Sequence, residues 1–410
     1  MIRSRGILGI ALVLVLSLVM AACGSDPTPT PKPAPAPAGA AAPTATPVPT
    51  AFDLLVQRAK ASSHVVRGGL GFHPDTTVKA LEEGFEKRFG FPLKLENEPG
   101  HPARDMPTKI LTAGSTKTGV LDWGPTGTTV LAFPLLEKGM LREPKWDTLA
   151  IEWPDIQNLR KEMPDWTSDK LPPGKTLQDY CALRGHSTWV MNYNPRTVKP
   201  EEVANLKYDD LIGPKWKDRV VMDERALGLY QFPLAPGWSE QRLKDWAHNL
   251  GANGMKIFPG GSRGVHQAIL QGEGDIGLGS PAWTQVQAGQ PIDFTVAEFT
   301  TGANPSLSCL PKWGVNDPDM AELFYGWEKM EGNIYAAKPP ANYTHANMLA
   351  KYANDYPLSA KLAEAGLTVE KLVFPRNLAE NKASAGWRKV AMDAQKSGIK
   401  SGKPVPYNYK

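Results

Sequence analysis

Of 410 residues only three are cysteine, Cys23, Cys181 and Cys309, which excludes a disulfide-dense scaffold. No Cys-x-x-Cys occurs and the seven histidines form no His-Glu-x-x-His, so neither structural nor catalytic zinc has a basis in the sequence. Charge of one sign is lacking too. The chain carries 46 Lys and Arg against 42 Asp and Glu, too even a balance for the electrostatic footprint of a nucleic-acid binder. The apolar run Ile7 to Met20 is 14 residues, too short to span a bilayer comfortably. What remains is a chain with 41% hydrophobic residues, enough to bury a core, whose length suggests two or three lobes.

Proline is abundant and unevenly placed. Nine of the 38 prolines lie between Cys23 and Thr50. Before them, Arg3 and Arg5 precede the apolar run, which ends in the small residues Ala21 and Ala22 ahead of Cys23. These are the three parts of a secretory signal over 1–22. With Cys23 directly after, the segment resembles the lipobox of bacterial lipoproteins, although Met20 stands where that motif usually has Leu. The resemblance implies cleavage before Cys23 and acylation of that residue, palmitate included, giving stable attachment to the cell membrane. Residues 23–50, rich in Pro, Ala and Thr, cannot bury enough surface to offset their ordering entropy and are expected to form an extended tether. Removing 1–22 takes two arginines with it and leaves 44 basic against 42 acidic residues. Outside the cytosol, Cys181 and Cys309 are candidates for a disulfide, with two separate buried thiols as the alternative.

Strand and helix patterns alternate in the body, predicting an α/β fold of two lobes. Helix 52–61, strand 64–68, helix 78–89 capped by Asp75 or Thr76, strand 92–96, helix 106–113 and strand 120–122 form the first series. A Pro- and Trp-rich stretch, 144–175, precedes a strand at 187–193. The second series comprises strand 220–223, helix 241–250, strand 256–258, helix 265–271 and strand 276–279. A helix is expected near Asp317-Pro318, with the acid as cap and the proline in the first turn. Glycines and aromatics gather in the loops at the carboxyl ends of strands, where α/β folds bind ligands.

The order of segments is similar to that of the periplasmic solute-binding proteins of ABC importers, in the ferric-ion-binding-protein-like branch. It rests on "FEKRFGFPLKLE", "WVMNYNPRTVKPEEV" with "YDDLIGPKWKDRVVMDE", "GGSRGVHQAILQGEGDIGLGS" and "NDPDMAELFYGWEKMEGN". The resemblance implies a type II-like periplasmic binding protein fold, with two α/β lobes joined by crossing hinge strands near 185–190 and 301–310. Lobe 1 is then expected at 51–187 with a return at 303–345, lobe 2 at 188–302, and C-terminal helices and a tail at 346–410. It further implies a non-enzymatic binder, extracytoplasmic, monomeric and without a cofactor, that delivers a small-molecule ligand to a permease and ATPase complex by hinge closure.

In the ferric branch two adjacent tyrosines follow the strand matching 276–279. Here that place reads Ser280-Pro281-Ala282-Trp283, and His73 alone cannot hold Fe(III). The residues left in the loops point to a small organic anion, with an aromatic one as an option. Phe72, Trp123, Tyr230 and Trp283 are candidates for stacking, with core packing as the alternative for the two tryptophans. Arg225 and Arg263 are candidate carboxylate or phosphate clamps. His73, Thr126, Ser262 and Ser280 complete the expected set, the helix after Gly260-Gly261 offering free N–H groups to an anion. The same GGSRG segment matches the Gly-x-Ser-x-Gly nucleophile elbow. With Asp317 or Asp319 and then His345 it gives a competing reading, a surface-tethered serine hydrolase. A ligand sensor on the same fold is a third.

Overall fold

The computed structural model describes residues 48–69, 75–99, 105–161, 163, 165–332 and 357–409. The body begins at helix α1 (Ala51–Lys60), which Thr50 and Asp53 lock at its start. Thr50 Oγ1 accepts from the Asp53 amide at 3.1 Å and Asp53 Oδ2 accepts from the Thr50 amide at 2.8 Å, a reciprocal cap that satisfies two otherwise unpaired donors. Its buried residues Phe52, Leu55 and Ala59 fall at helical spacing and face the core of the first lobe.

Strand β1 (Val65–Gly68) pairs in parallel with β2 (Lys94–Asn97) across α2 (Asp75–Phe89). Helix α3 (Met106–Ser115) follows, and then β3 (Gly124–Thr128), α4 (Thr129–Glu137) and the short β4 (Leu141–Arg142). The strand expected at 120–122 is therefore displaced to Gly124–Thr128. Asp122 is drawn into a loop clamp instead. Its carboxylate accepts from the amides of Arg67 and Asn316 and from Asn316 Nδ2 at 2.7–2.8 Å. The Pro- and Trp-rich stretch holds two short helices, α5 (Trp146–Glu152) and α6 (Ile156–Lys161). Trp146, Trp153 and Ile156 pack in one core with Phe85, Trp123 and Phe324.

Two long strands link the lobes. β5 (Cys181–Tyr193) and β10 (Thr300–Pro311) run antiparallel, with register shifts between Ala303 and Leu307. At one end β10 pairs with β3 and β4. At the other, β5 pairs with β8 (Ile276–Gly279) and β9 (Asp293–Thr295). The shifts fall within the segments expected to act as a hinge.

The second lobe carries the short α7 (Pro200–Val203), β6 (Val220–Asp223), α8 (Glu240–Ala252), β7 (Lys256–Phe258), α9 (Ser262–Leu270) and α10 (Trp283–Gln287). β6 lies between β7 and β8, parallel to both. All four residues of β6 and of β8 are buried, which fits the apolar Val220-Val221-Met222 and Ile276 to Gly279, while β6 ends on a buried carboxylate, Asp223. A core of Tyr208, Trp216, Phe232, Trp238, Trp246 and Phe299 fills the opposite side.

The chain then returns through α11 (Pro318–Trp327). Asp317 caps it, accepting from the Asp319 and Met320 amides at 2.9 and 3.0 Å. After α12 (Pro357–Glu364), strand β11 (Leu372–Val373) pairs with β10. The 24-residue α13 (Leu378–Ser401) packs along α8, so the C-terminal part completes the second lobe. The tail 403–409 is strapped to α8. Asn249 bonds Val405 both ways at 2.7–3.0 Å, and Tyr407 gives its hydroxyl to Asp209 at 2.6 Å. Cys181 and Cys309 lie opposite each other in the β5–β10 ladder and form a disulfide with Cα atoms 4.4 Å apart. Among the described residues no helix is long and apolar enough to cross a membrane.

Candidate ligand-binding site

At the carboxyl end of β7 the chain turns through Gly260 and Gly261, with φ of +94° and +70°. That left-handed region is open to glycine and strained for other residues. The turn delivers α9 with Gly261 as its cap and no side-chain acceptor on the first turn, leaving its N–H groups and positive end exposed to a ligand.

Neighbouring strand ends fix the surroundings. Ser262 Oγ accepts from the Ser280 amide at 2.8 Å, tying the start of α9 to the end of β8. The Ser280 carbonyl accepts from Asn192 Nδ2 at 3.1 Å and from His266 Nε2 at 2.8 Å. Asn192 Oδ1 takes the Ala282 amide at 2.9 Å. Asn192 sits on β5, so a hinge strand holds the 280–282 loop directly. His266 is buried, and that burial pushes its imidazole below the ordinary range. Because its partner is a carbonyl, Nε2 carries the proton.

From the end of β6, Arg225 reaches over the turn. A Cβ placed on Gly261 would stand 2.3 Å from its Nη2. Arg225 Nε donates to Asp223 Oδ1 at 3.2 Å, while its backbone carbonyl accepts from Arg388 Nε on α13 at 2.9 Å. Arg263, exposed in the first turn of α9, forms no ion pair among the described residues. Tyr230 is half-buried beside this group, its hydroxyl held above the usual range by burial and drawn back by the Arg388 charge.

The structure thus brings Arg225, Ser262, Arg263 and Ser280 together around the start of α9. Other expected residues are placed differently. Trp123 is wholly buried, edge-on to Phe324 at 5.2 Å and so close to Gly68 that a Cβ there would stand 2.6 Å from its ring. It is a core residue of the first lobe and not a stacking platform. Thr126 lies on β3, whose backbone pairs with β10, and the helix that follows begins at Thr129. Trp283 is half-buried at the head of α10 and packs on the cluster of Val190, Phe294 and Leu358. Phe72, His73 and Cys23 lie outside the described residues.

The residues of the hydrolase reading are engaged elsewhere. Asp317 is consumed as the α11 cap. Asp319 pairs with Arg58 and Lys145 at 2.6 Å each. His345 lies outside the described residues. Among the described residues no group of three or more His, Cys, Asp or Glu is placed to hold a metal ion.

Sequence reasoning missed Asn192, Asp223, His266 and Arg388. Asp223 and His266 carried a local signal, ending the strand and lying one turn into the helix of the glycine loop. Arg388 comes from a helix more than 160 residues downstream, and nothing in its own segment marks it.

No family model matches the sequence, and no curated protein matches it. Solved structures do. Iron-bound HitA from Pseudomonas aeruginosa superposes with a TM-score of 0.53 at 15% identity, covering 80% of this chain and 98% of that one. The spermidine/putrescine ABC transporter substrate-binding protein PotD from Streptococcus pneumoniae gives 0.57 at 14%, covering 82% and 98%. The periplasmic binding protein AfuA from Actinobacillus pleuropneumoniae, with fructose-6-phosphate bound, gives 0.51 at 17%, again covering 82% and 98%. The fold is that of the two-lobed type II periplasmic binding proteins. The structural neighbours are binding proteins, and their named ligands span a metal ion, polyamines and a sugar phosphate.

Proposed function

We propose that the protein is the solute-binding component of an ABC importer, which captures a small organic anion between its lobes and passes it to a permease and ATPase complex. The observation that carries this reading is the start of α9, where unpaired backbone donors meet Arg225, Arg263, Ser262 and Ser280. Helix end, arginines and hydroxyls all favour negative charge. Iron is not the proposed ligand, because Ser280 to Trp283 supply no pair of tyrosines. Catalysis is not proposed either: Ser262 Oγ accepts a structural hydrogen bond, and the two aspartates of the hydrolase reading serve other partners. In this account residues 1–22 are a lipoprotein signal, Cys23 is the acylated anchor, and 23–50 hold a monomeric body away from the cell membrane. A ligand sensor would share this geometry, and adjacent permease and ATPase genes would favour import.

A thermal-shift screen of the purified protein against aromatic acids, phosphonates, sulfonates, amines and Fe(III) tests the reading. Anions are expected to raise Tm. Arg263→Ala and Arg225→Gln should each weaken binding of the best anion by about 10- to 100-fold, the range of charge-assisted hydrogen bonds. Stabilisation by Fe(III) alone would overturn it. Radiolabelled palmitate should enter the wild-type protein and not the Cys23→Ser variant.

A further inference from the structure

The ion pair beside the glycine turn uses only half of each partner. Asp223, at the end of β6, has a side chain only 1% exposed. Its Oδ1 accepts twice from Arg225, from the backbone amide at 3.0 Å and from Nε at 3.2 Å. Its Oδ2 is buried and accepts no hydrogen bond among the described residues. A buried carboxylate oxygen without a donor is costly, and native proteins keep such groups where something else completes them. Arg225 for its part offers Nε to Asp223 and keeps its remaining N–H groups for another partner, on a side chain 46% exposed.

Gly261 connects the two. The point where its Cβ would stand is 2.3 Å from Arg225 Nη2 and 3.9 Å from Asp223 Oδ2. The missing side chain at the cap of the nine-residue α9 lets Arg225 Nη2 stand where a Cβ would be, at the helix end and near the unpaired acceptor. Arg225, long and 46% exposed, is the member of the pair able to turn. A guanidinium turning toward an incoming anion would vacate the place beside Oδ2.

We infer that the ligand carries a hydrogen-bond donor, an ammonium or a hydroxyl, next to its anionic group, and that Asp223 Oδ2 receives the donor while α9 and Arg225 hold the anion. The inference rests on the anion-binding reading above and narrows it. A plain anion brought to this turn leaves Oδ2 unpaired and faces the negative charge of Asp223. A donor-bearing anion satisfies both halves of the pair. Sites built around a buried polar group discriminate strongly against analogues that fail to pair it.

Calorimetric titration of the full protein with ethyl phosphate, 2-hydroxyethyl phosphate and 2-aminoethyl phosphate tests this, since the three share one anion and differ in the donor. One or both donor-bearing esters should bind at least about tenfold more tightly than ethyl phosphate, the worth of one hydrogen bond to a charged group. Asp223→Asn, which keeps an oxygen for Arg225, should shrink that preference to less than about threefold, with ethyl phosphate gaining affinity as the buried negative charge is removed. Because that variant could misfold, wild type alone gives a second check: 2-methoxyethyl phosphate, which keeps the ester's outer oxygen without a donor, should bind no more tightly than ethyl phosphate. Equal affinity of wild type for all three esters overturns the donor subsite and leaves the anion cleft standing. Failure of all three to bind at millimolar concentration overturns both.

Discussion

His266 donates Nε2–H to the Ser280 carbonyl from inside α9, and burial lowers its affinity for a proton below that of a free imidazole, ordinarily 6.5. The unfolded chain therefore protonates this residue at a higher pH than the folded one does. Its contribution to stability is complete above about pH 6.5 and drains away as the pH falls toward the depressed folded value. Urea denaturation between about pH 5 and 8 should show stability rising with pH across the acidic part of that range. His266→Gln, which retains a donor for Ser280, should flatten that part of the profile. An unchanged slope would place the titrating group elsewhere. At the same scale Gly261 is set by geometry: with φ at +70° and Arg225 against it, alanine should lower global stability by about 1 kcal/mol or more, measurable by the same denaturation.

The β5–β10 ladder is the element on which the two lobes depend, and the Cys181–Cys309 bridge sits across it with 128 residues between the cysteines in sequence. A cross-link closing so long a loop restricts the unfolded chain and is typically worth about 2–4 kcal/mol. Reduction, or the Cys181→Ser/Cys309→Ser pair, is expected to lower Tm by several degrees, and thiol blocking before reduction should find no free thiol in the wild-type body. The C-terminal strap makes a second element-scale case. Removing residues 403–410 deletes the bonds from Val405 to Asn249 and from Tyr407 to Asp209 and Arg242. Thermal unfolding should begin earlier while ligand preference is retained, because none of those bonds touches the glycine turn.

Legibility also varied by element. Strands 220–223, 256–258 and 276–279 were readable to the residue because each is short and bounded by turns, and residues 220–222 and 276–279 are apolar and buried. Ser262, Arg263 and Ser280 could be placed together because they flank such strands. The strand at 124–128 was not readable: Gly-Pro-Thr-Gly-Thr has little intrinsic strand preference and is held by pairing with β10, a contact some 180 residues distant. For Trp123 the sequence leaves stacking and core packing both open, for a related reason. A tryptophan beside a loop glycine reads the same whether it faces a ligand or fills a core, and only the packing of α11 against it decides.

For the whole molecule, the proposed binding role requires the body to close on its ligand. Two lobes share the strands β5 and β10, and Asn192 on β5 also fixes the loop that carries Ser280. A ligand that touches both lobes can shift the open–closed balance only through contacts it gains in the closed form. On the proposed function, the glycine turn with Arg225 and Arg263 is the part of the second lobe that would supply those contacts. Small-angle X-ray scattering of the purified protein, alone and saturated with the tightest-binding anion from the screen, is the most direct test of this account. It predicts a smaller radius of gyration with ligand, lost in Arg263→Ala at the same ligand concentration. Superimposable curves from a sample shown by calorimetry to be saturated would contradict it.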